Sequence, residues 1–156
     1  MNQLSKLLPL ANIAIDSAAR DKSAALDVAA QLLAAASAID RDRIRSALAD
    51  REALGSTGLG QGVAIPHGRL RGIKQAMAAV VRLQQPVPFD APDGRPVGLL
   101  VALLVPENAR QEHLEMLSEL AQMLSDRELR VDLMSEPTPA ALLARVASWA
   151  PIRPAA

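Results

Sequence analysis

The sequence contains no cysteine and almost no aromatic residues, and each absence narrows the functions open to the chain. Without cysteine there are no disulfides, no thiol catalysis and no cysteine-ligated zinc or iron–sulfur centres. Phe89 and Trp149 are the only aromatic residues, so the core must be aliphatic and the stacking platforms of single-strand nucleic-acid binders are missing. The 17 basic and 17 acidic residues balance, so no overall field attracts nucleic acid or anionic lipid.

Long apolar runs are missing as well. No stretch approaches the roughly 20 residues that a membrane-spanning helix needs, and the start of the chain is too interrupted for a secretory signal. We therefore predict a cytoplasmic protein without membrane insertion. We expect one domain over residues 1–156, with an ordered core over roughly 5–150 and a frayed tail marked by Pro151 and Pro154.

Helical periodicity recurs along the chain. The alanine- and leucine-rich residues 22–37 have apolar side chains at helical spacing, with Asp21 or Ser23 as a candidate cap. Asp40 is placed to cap a second helix that runs through Asp50. Further helices are predicted over 108–125, 127–134 and 139–149. The first of these is expected to bury a stripe of Leu114, Leu117, Ala121 and Leu124.

Two short apolar runs without helical periodicity, residues 76–83 and 97–105, predict strands. The second run is almost wholly aliphatic, which is typical of a strand buried on both faces. A short strand or turn is expected over 12–15, and the proline-rich segment 85–96 predicts a rigid surface connection. This order of elements predicts an α/β domain in which a mixed β-sheet is flanked by helices.

Five of the eight glycines lie between residues 55 and 68, and this cluster ends beside one of only two histidines, His67. Glycines at this density let the backbone turn tightly, approach a ligand and leave N–H groups uncovered. His67 stands between Pro66 and Gly68, so no bulky neighbour shields its ring. The segment predicts a phosphoryl-transfer site in a glycine loop, with Gly68 as a phosphate-supporting residue.

His67 and Arg51 are the first candidates for this chemistry. A neutral imidazole has a free ring nitrogen that can attack phosphorus, and the phosphorylated ring keeps a high transfer potential. The alternative is a histidine that only closes a turn, which the glycine context disfavours. Arg51 either holds phosphate oxygens with its guanidinium or only interacts with the end of the preceding helix.

Other polar residues flank the glycine cluster. Ser56 and Thr57 either donate hydroxyl hydrogen bonds to phosphate or form a turn with the backbone. Arg69, Arg71 and Lys74 follow His67 closely. They either face an acidic partner, which makes Arg69 and Arg71 candidate docking residues, or form a solvated basic stretch.

His113 lies at the edge of the predicted apolar stripe of its helix. It either pairs with a neighbouring glutamate or lies beside His67, where it bonds to the phosphoryl group or orients the ring. The two histidines are 46 residues apart without carboxylates at ligand spacing, so no metal site is predicted. The glycine run lacks a Gly-Lys-Ser/Thr ending, so we expect no nucleotide and no cofactor, and another phosphoprotein is the expected donor.

These residues resemble the IIA component of the bacterial phosphoenolpyruvate phosphotransferase system, fructose/mannitol type, and within it the nitrogen-regulatory branch. The most specific signal is Gly-Ser-Thr-Gly followed by Ala-Ile-Pro-His-Gly. The matching segments follow one another in order between residues 51 and 118: residues 51–58, 60–68, 88–90, 99–106 and 113–118.

The resemblance implies a single α/β domain and a phosphotransferase without a cofactor. It implies that His67 accepts the phosphoryl group through Nε2 from a histidine phosphocarrier protein, with Arg51 and His113 supporting. It further implies a regulator of nitrogen, carbon and potassium metabolism, whose targets include proteins such as a potassium transporter or a sensor kinase.

Two alternatives remain at this point. Sugar-type members pass phosphate to a IIB domain that serves a membrane permease, and this chain carries no such domain, which favours a stand-alone regulator although a separately encoded IIB partner stays open. The other alternative is a pure binding module with a vestigial phosphate site, against which the set of Arg51, His67 and His113 argues.

Overall fold

The computed structural model describes residues 2–151, in which a six-stranded sheet lies between two layers of helices. In chain order the helices and strands are α1 (Gln3–Leu7), β1 (Ile13–Ser17), α2 (Lys22–Ser37), α3 (Arg41–Ala53), β2 (Gly58–Gly60), β3 (Val63–Ala64), β4 (His67–Leu70), β5 (Met77–Val87), β6 (Val97–Pro106), α4 (Arg110–Ser125), α5 (Arg127–Ser135) and α6 (Pro139–Ser148). Within the described residues, no helix combines the length and the apolarity needed to cross a membrane.

The sheet is mixed, and β6 lies at its centre. β5 and β6 pair antiparallel, with Val80 opposite Val101, whereas β1 runs parallel to β5. β3 and β4 both run parallel to β6, and β2 pairs antiparallel with β3 at the edge. The predicted α/β architecture, a mixed sheet flanked by helices, is confirmed.

Alternate side chains of β6 enter two separate aliphatic cores. Ala102 and Leu104 face the core that includes α2 and α3, and Val101 and Leu103 face the core that includes α1, α4, α5 and α6. β6 is therefore buried on both faces, as its sequence predicts. The site described below lies where both helical layers meet the same end of the sheet.

Carboxylates at the predicted caps begin the first two long helices. Asp21 accepts from the N–H of Ala24 at 2.7 Å, and Asp40 accepts from the N–H of Asp42 at 3.0 Å. α3 ends at Ala53 rather than at the predicted Asp50. This longer helix includes Arg51, which the site uses.

The glycine-rich segment is not the continuous loop that its composition predicts. It contains three short strands, β2, β3 and β4, and His67 is the first residue of β4. Strands of two to four residues have too little sequence for a periodic pattern, and pairing with the distant β6 holds β3 and β4 in place.

The prediction of a surface connection over 85–96 is wrong for part of that segment. β5 continues to Val87, and Phe89 is only 1% exposed. Lys22 Nζ lies 4.7 Å from the centroid of the Phe89 ring and donates to its carbonyl oxygen at 3.3 Å. The burial of Phe89 has no local signal, because Lys22, which contacts it, lies far away in the sequence.

The predicted stripe of α4 is wrong at Leu114 and Ala121. Leu114 is 60% exposed and Ala121 is exposed as well, so the helix is rotated relative to the prediction. The buried residues of α4 are His113, Leu120, Met123 and Leu124. Two neighbouring faces of this helix carry apolar residues, and the sequence does not distinguish which face meets the sheet.

The ends of the chain also differ from the prediction. Residues near the start form α1, a helix that was not predicted, and the first strand covers Ile13–Ser17. α6 ends at Ser148, one residue before the predicted end. The predicted frayed tail beyond Pro151, including Pro154, lies outside the described residues.

Candidate phosphoryl-transfer site

A buried carboxylate anchors the end of α3 to the glycine-rich segment. Glu52 accepts from the backbone N–H of Thr57 at 3.0 Å and from its hydroxyl, and pairs with Lys22 Nζ at 2.8 Å. Burying a carboxylate is unfavourable unless charges and donors compensate, and Lys22 and Thr57 do so here. The network fixes the position of Arg51, the preceding residue.

β4 places His67 and Arg69 on one face and Gly68 on the other, since side chains alternate along a strand. A Cβ atom at Gly68 would lie 3.0 Å from the carbonyl carbon and oxygen of Ala47 in α3. A side chain at this position would push β4 and α3 apart by a few tenths of an ångström. The role that the structure gives Gly68 is this close approach, which sets the position of His67.

The chain from β6 into α4 brings the second histidine to the first. β4 pairs with β6 so that His67 lies opposite Leu103, and α4 begins a few residues after β6 ends. The ring centroids of His67 and His113 are 5.3 Å apart, with an angle of 70° between the ring planes. The two histidines thus form an edge-to-face pair, as one of the two interpretations of His113 predicts.

The ring of His67 is held through Nδ1, which leaves Nε2 outside that hydrogen bond. Its Nδ1 lies 2.7 Å from the carbonyl oxygen of Ile65, and a carbonyl only accepts, so the neutral ring carries its proton on Nδ1. Burial lowers the pKa of His67 below its ordinary 6.5; the bond to Ile65 opposes this effect, and the charge of Arg51 adds to it. At neutral pH the ring is therefore neutral, with a lone pair on Nε2.

His113 is buried, with one ring nitrogen bonded and the other not. Arg69 Nε donates to Nδ1 of His113 at 3.2 Å, whereas Nε2 of His113 is buried and has no hydrogen-bond partner among residues 2–151. Burial is the main cause that lowers the pKa of His113 from 6.5 to about 4, followed by the charges of His67, Arg69 and Arg51. His113 is thus neutral over the physiological range.

Arg51 and Arg69 make the surroundings of the two rings positive. Arg51 donates to the carbonyl oxygen of Gly55 at 2.8 Å, just past the end of α3. Both guanidiniums lower the pKa of both histidines through their charges. A site with two guanidiniums and two neutral imidazoles favours an anionic group such as a phosphoryl group.

The hydroxyls of Ser56 and Thr57 are already donated within the protein. Ser56 Oγ donates to the carbonyl oxygen of Phe89 at 2.6 Å and accepts from the N–H of Gly58 at 3.0 Å. The Thr57 hydroxyl donates to Glu52. In this structure both side chains hold the turn, the second of the two interpretations of these residues, and neither offers its proton to a group on His67.

Arg69 and Arg71 occupy different surroundings. Arg69 reaches His113 and so belongs to the site, not only to a docking rim. Arg71 is exposed, and its Nε lies 3.2 Å from a carboxylate oxygen of Glu107. Of the two predicted docking arginines, only Arg71 points away from the histidines toward another surface group.

Two residues of this arrangement were missed from the sequence. Lys22 and Glu52 form the buried pair, but Lys22 reads as the solvated first residue of a helix and Glu52 as a helix-surface carboxylate. The spacing of Glu52 to Thr57 is the one local signal, since a carboxylate at a helix end can accept from N–H groups just beyond it. Lys22 has no such signal, because its partner is distant in the sequence.

The pair of His67 and His113 lies apart from the surface groove beside α4. This groove of about 620 Å³ lies between α4 and residues 149–151, beside Leu114 and Trp149, and includes neither histidine. Among residues 2–151, no three histidine or acidic side chains converge as metal ligands.

Comparison with known proteins relates this site to one family. The family model described as "Phosphoenolpyruvate-dependent sugar phosphotransferase system, EIIA 2" matches residues 6–149. The chain is 52% identical over 103 residues to a nitrogen regulatory protein of Pseudomonas aeruginosa, covering 66% of this chain and 67% of that protein.

Two further comparisons bear on fold and function. The crystal structure of the nitrogen regulatory protein IIA-Ntr from Neisseria meningitidis superposes with a TM-score of 0.88 at 46% identity, covering 93% of this chain and 99% of that one. The chain is also 31% identical over 135 residues to a phosphotransferase-system fructose-specific EIIA component of Haloferax volcanii, covering 86% of this chain and 88% of that protein.

Proposed function

Since this chain belongs to the EIIA 2 family of the phosphoenolpyruvate-dependent sugar phosphotransferase system, we propose that it is a phosphohistidine relay protein with a regulatory output. Its nitrogen regulatory homologues support a regulatory IIA protein. The observation that carries the proposal is the His67 ring, which is neutral, bonded through Nδ1 to Ile65 and paired with a second histidine.

The transfer step uses only atoms that the site provides and the phosphoryl group of a donor. Nε2 of His67 attacks the phosphorus of a phosphohistidine on a phosphocarrier protein. The new N–P bond forms as the donor's N–P bond breaks, and that electron pair returns to the donor ring. His67 keeps its proton on Nδ1, which donates to the carbonyl oxygen of Ile65, so no proton has to leave during the step.

Arg51 and His113 stabilise the group in transit. The guanidinium of Arg51 offsets negative charge on the phosphoryl oxygens, where two parallel N–H donors are possible. The unpartnered Nε2 of His113 donates to a phosphoryl oxygen, which gives this buried N–H the acceptor it lacks in the unphosphorylated protein. Gly68 serves by allowing the close approach of β4, and Ser56 and Thr57 by holding the preceding turn.

The proposed output is regulation of nitrogen, carbon or potassium metabolism through contact with target proteins, such as a potassium transporter or a sensor kinase. The transferred phosphoryl group adds about two negative charges to a site that is positive before transfer. A partner that binds the positive site is therefore expected to distinguish the two states. Arg71, exposed and beside Glu107, is proposed to contribute to docking.

A second candidate is a sugar-specific IIA component that passes phosphate to a separate IIB protein. The likeness to the fructose-specific EIIA component of Haloferax volcanii is the observation that favours it. The two candidates share the first transfer and differ in the acceptor. Deletion that abolishes growth on one phosphotransferase sugar would favour the second candidate, whereas unaltered growth on such sugars would favour the first.

The test of the relay is incubation with phosphoenolpyruvate, the first enzyme of the system and the phosphocarrier protein. Wild-type protein should gain one acid-labile, base-stable phosphoryl group, seen as a mass increase in intact-protein mass spectrometry. His67→Ala should gain none, and Arg127→Ala, which changes an exposed residue of α5, should gain the group normally. An unmodified wild-type protein, or an adduct that persists on His67→Ala, refutes the proposal.

A further inference from the structure

The bond between Arg69 and His113 has no role in the transfer step described above. Arg69 stands two residues after His67 on the same face of β4, and its side chain reaches His113 in α4. There its Nε lies 3.2 Å from Nδ1 of His113. The same histidine has the one side-chain nitrogen or oxygen that is buried without a partner among residues 2–151.

The chemistry of the two groups decides which nitrogen of His113 carries the proton. A guanidinium has five N–H donors and no acceptor, so Nδ1 of His113 must accept from Arg69 with its lone pair. A neutral imidazole has one proton, which must then be on Nε2. The opposite tautomer would place two N–H groups against each other and leave Nε2 without a proton to donate.

Every charged or titratable group whose charge acts on His113 favours its neutral form. His67 and Arg69 on β4 and Arg51 at the end of α3 all oppose a positive charge on His113, and burial acts in the same direction. The ring is therefore neutral, and its function depends on the position of its single proton. Among the residues that the structure describes, the hydrogen bond that selects between the two positions is the one from Arg69.

We propose that Arg69 is a positioning residue that fixes His113 as the Nε2–H tautomer, so that this N–H points to the phosphoryl group on His67. The inference rests on the proposed function, because it assigns Nε2–H of His113 to a phosphoryl oxygen. Arg69 acts through His113. An exposed arginine thereby determines which ring nitrogen of the buried His113 carries the proton and donates a hydrogen bond.

A pair of nearly isosteric variants separates this role from the charge of Arg69. Arg69→Gln and Arg69→Met both remove the positive charge, but the amide nitrogen of glutamine stands at the same chain position as Nε of arginine and can still donate. Differences between these two variants therefore report the hydrogen bond alone. Arg71→Met is the control for losing an arginine near β4 that does not contact His113.

The first readout is the tautomer of His113 in the unphosphorylated, full-length protein, from long-range ¹H–¹⁵N correlation spectra of ¹⁵N-histidine-labelled samples near pH 7.5. Wild type, Arg69→Gln and Arg71→Met should show Nε2 protonated and Nδ1 unprotonated. Arg69→Met should show averaged shifts of two exchanging tautomers. A wild-type His113 protonated on Nδ1, or an Arg69→Met spectrum identical to wild type, overturns the inference.

The second readout is the rate of phosphorylation by the phosphocarrier protein. Arg69→Met should be phosphorylated about three- to tenfold more slowly than Arg69→Gln, as expected for loss of one ordered donor at the transferring group. Equal rates for the two variants overturn the positioning role even if the tautomers differ. If wild type itself takes up no phosphoryl group, the proposed function fails, while the spectra still decide the tautomer.

Discussion

The low pKa of His113 predicts that the free energy of unfolding falls as the solution is acidified. The pKa is lowered from 6.5 to about 4, chiefly because the ring is buried, and the side chain is only 5% exposed. In the unfolded chain the same ring takes up its proton near pH 6.5. Protonation therefore favours the unfolded state throughout the interval between these two values.

The sign and size of the effect follow from linkage. The stabilisation from a neutral His113 is complete above about pH 6.5 and is lost as the pH falls toward 4. At about 1.4 kcal/mol per pH unit, the free energy of unfolding should fall by roughly 2.5 kcal/mol between pH 7.5 and 4.5 on account of this ring alone. Carboxylates that titrate in the same range contribute a separate change.

The assay is urea denaturation of wild type and His113→Asn at both pH values, because the change due to carboxylates cancels when the two proteins are compared. Wild type should lose about 2.5 kcal/mol more than the variant on acidification. An NMR titration should show His113 still neutral at pH 5. Equal losses in both proteins, together with a His113 that titrates near 6.5, would refute the reasoning about its burial.

Three further predictions concern the supports of the site. Gly68→Ala should lower the free energy of unfolding by about 1–3 kcal/mol in denaturant titrations, because its Cβ atom would meet the backbone of Ala47, and a variant of wild-type stability would contradict this packing. Lys22→Met should cost about 2–3 kcal/mol by leaving the Glu52 carboxylate without its cation, and adding Glu52→Gln should recover part of that loss; no recovery would argue against the pair. Arg51→Ala should slow phosphorylation by about 10²-fold in quenched-flow assays, and a change below twofold would make it only a helix-end residue.

The parts of the fold that local pattern determines were predictable from the sequence. Asp21 and Asp40 cap α2 and α3, and the aliphatic run of β6 is buried on both faces, because capping and continuous burial leave a direct trace in neighbouring residues. The short strands β3 and β4 were missed, since they exist through pairing with β6, which lies more than 30 residues away. The glycine-rich composition predicted a loop there, whereas pairing with β6 makes these residues strands.

The residues of the site also divide into those that the sequence predicted and those that it did not. His67 was singled out by its own neighbours, and its pairing with His113 was one of two interpretations that the sequence left open. The pair of Lys22 and Glu52 was not foreseen, because the spacing of Glu52 to Thr57 does not show that the carboxylate is buried and Lys22 has no local signal. Arg69 was predicted only as a candidate docking residue. Its contact with His113 depends on the alternation of side chains along β4, and the sequence did not predict that strand.

The central claim is that Nε2 of His67 carries the phosphoryl group. The most direct test is ³¹P–¹⁵N correlation NMR on ¹⁵N-histidine-labelled protein after transfer from the phosphocarrier protein. We expect one N–P coupling, to Nε2 of His67, with Nδ1 still bonded to the carbonyl oxygen of Ile65. A coupling to Nδ1 of His67 or to either nitrogen of His113 would contradict it.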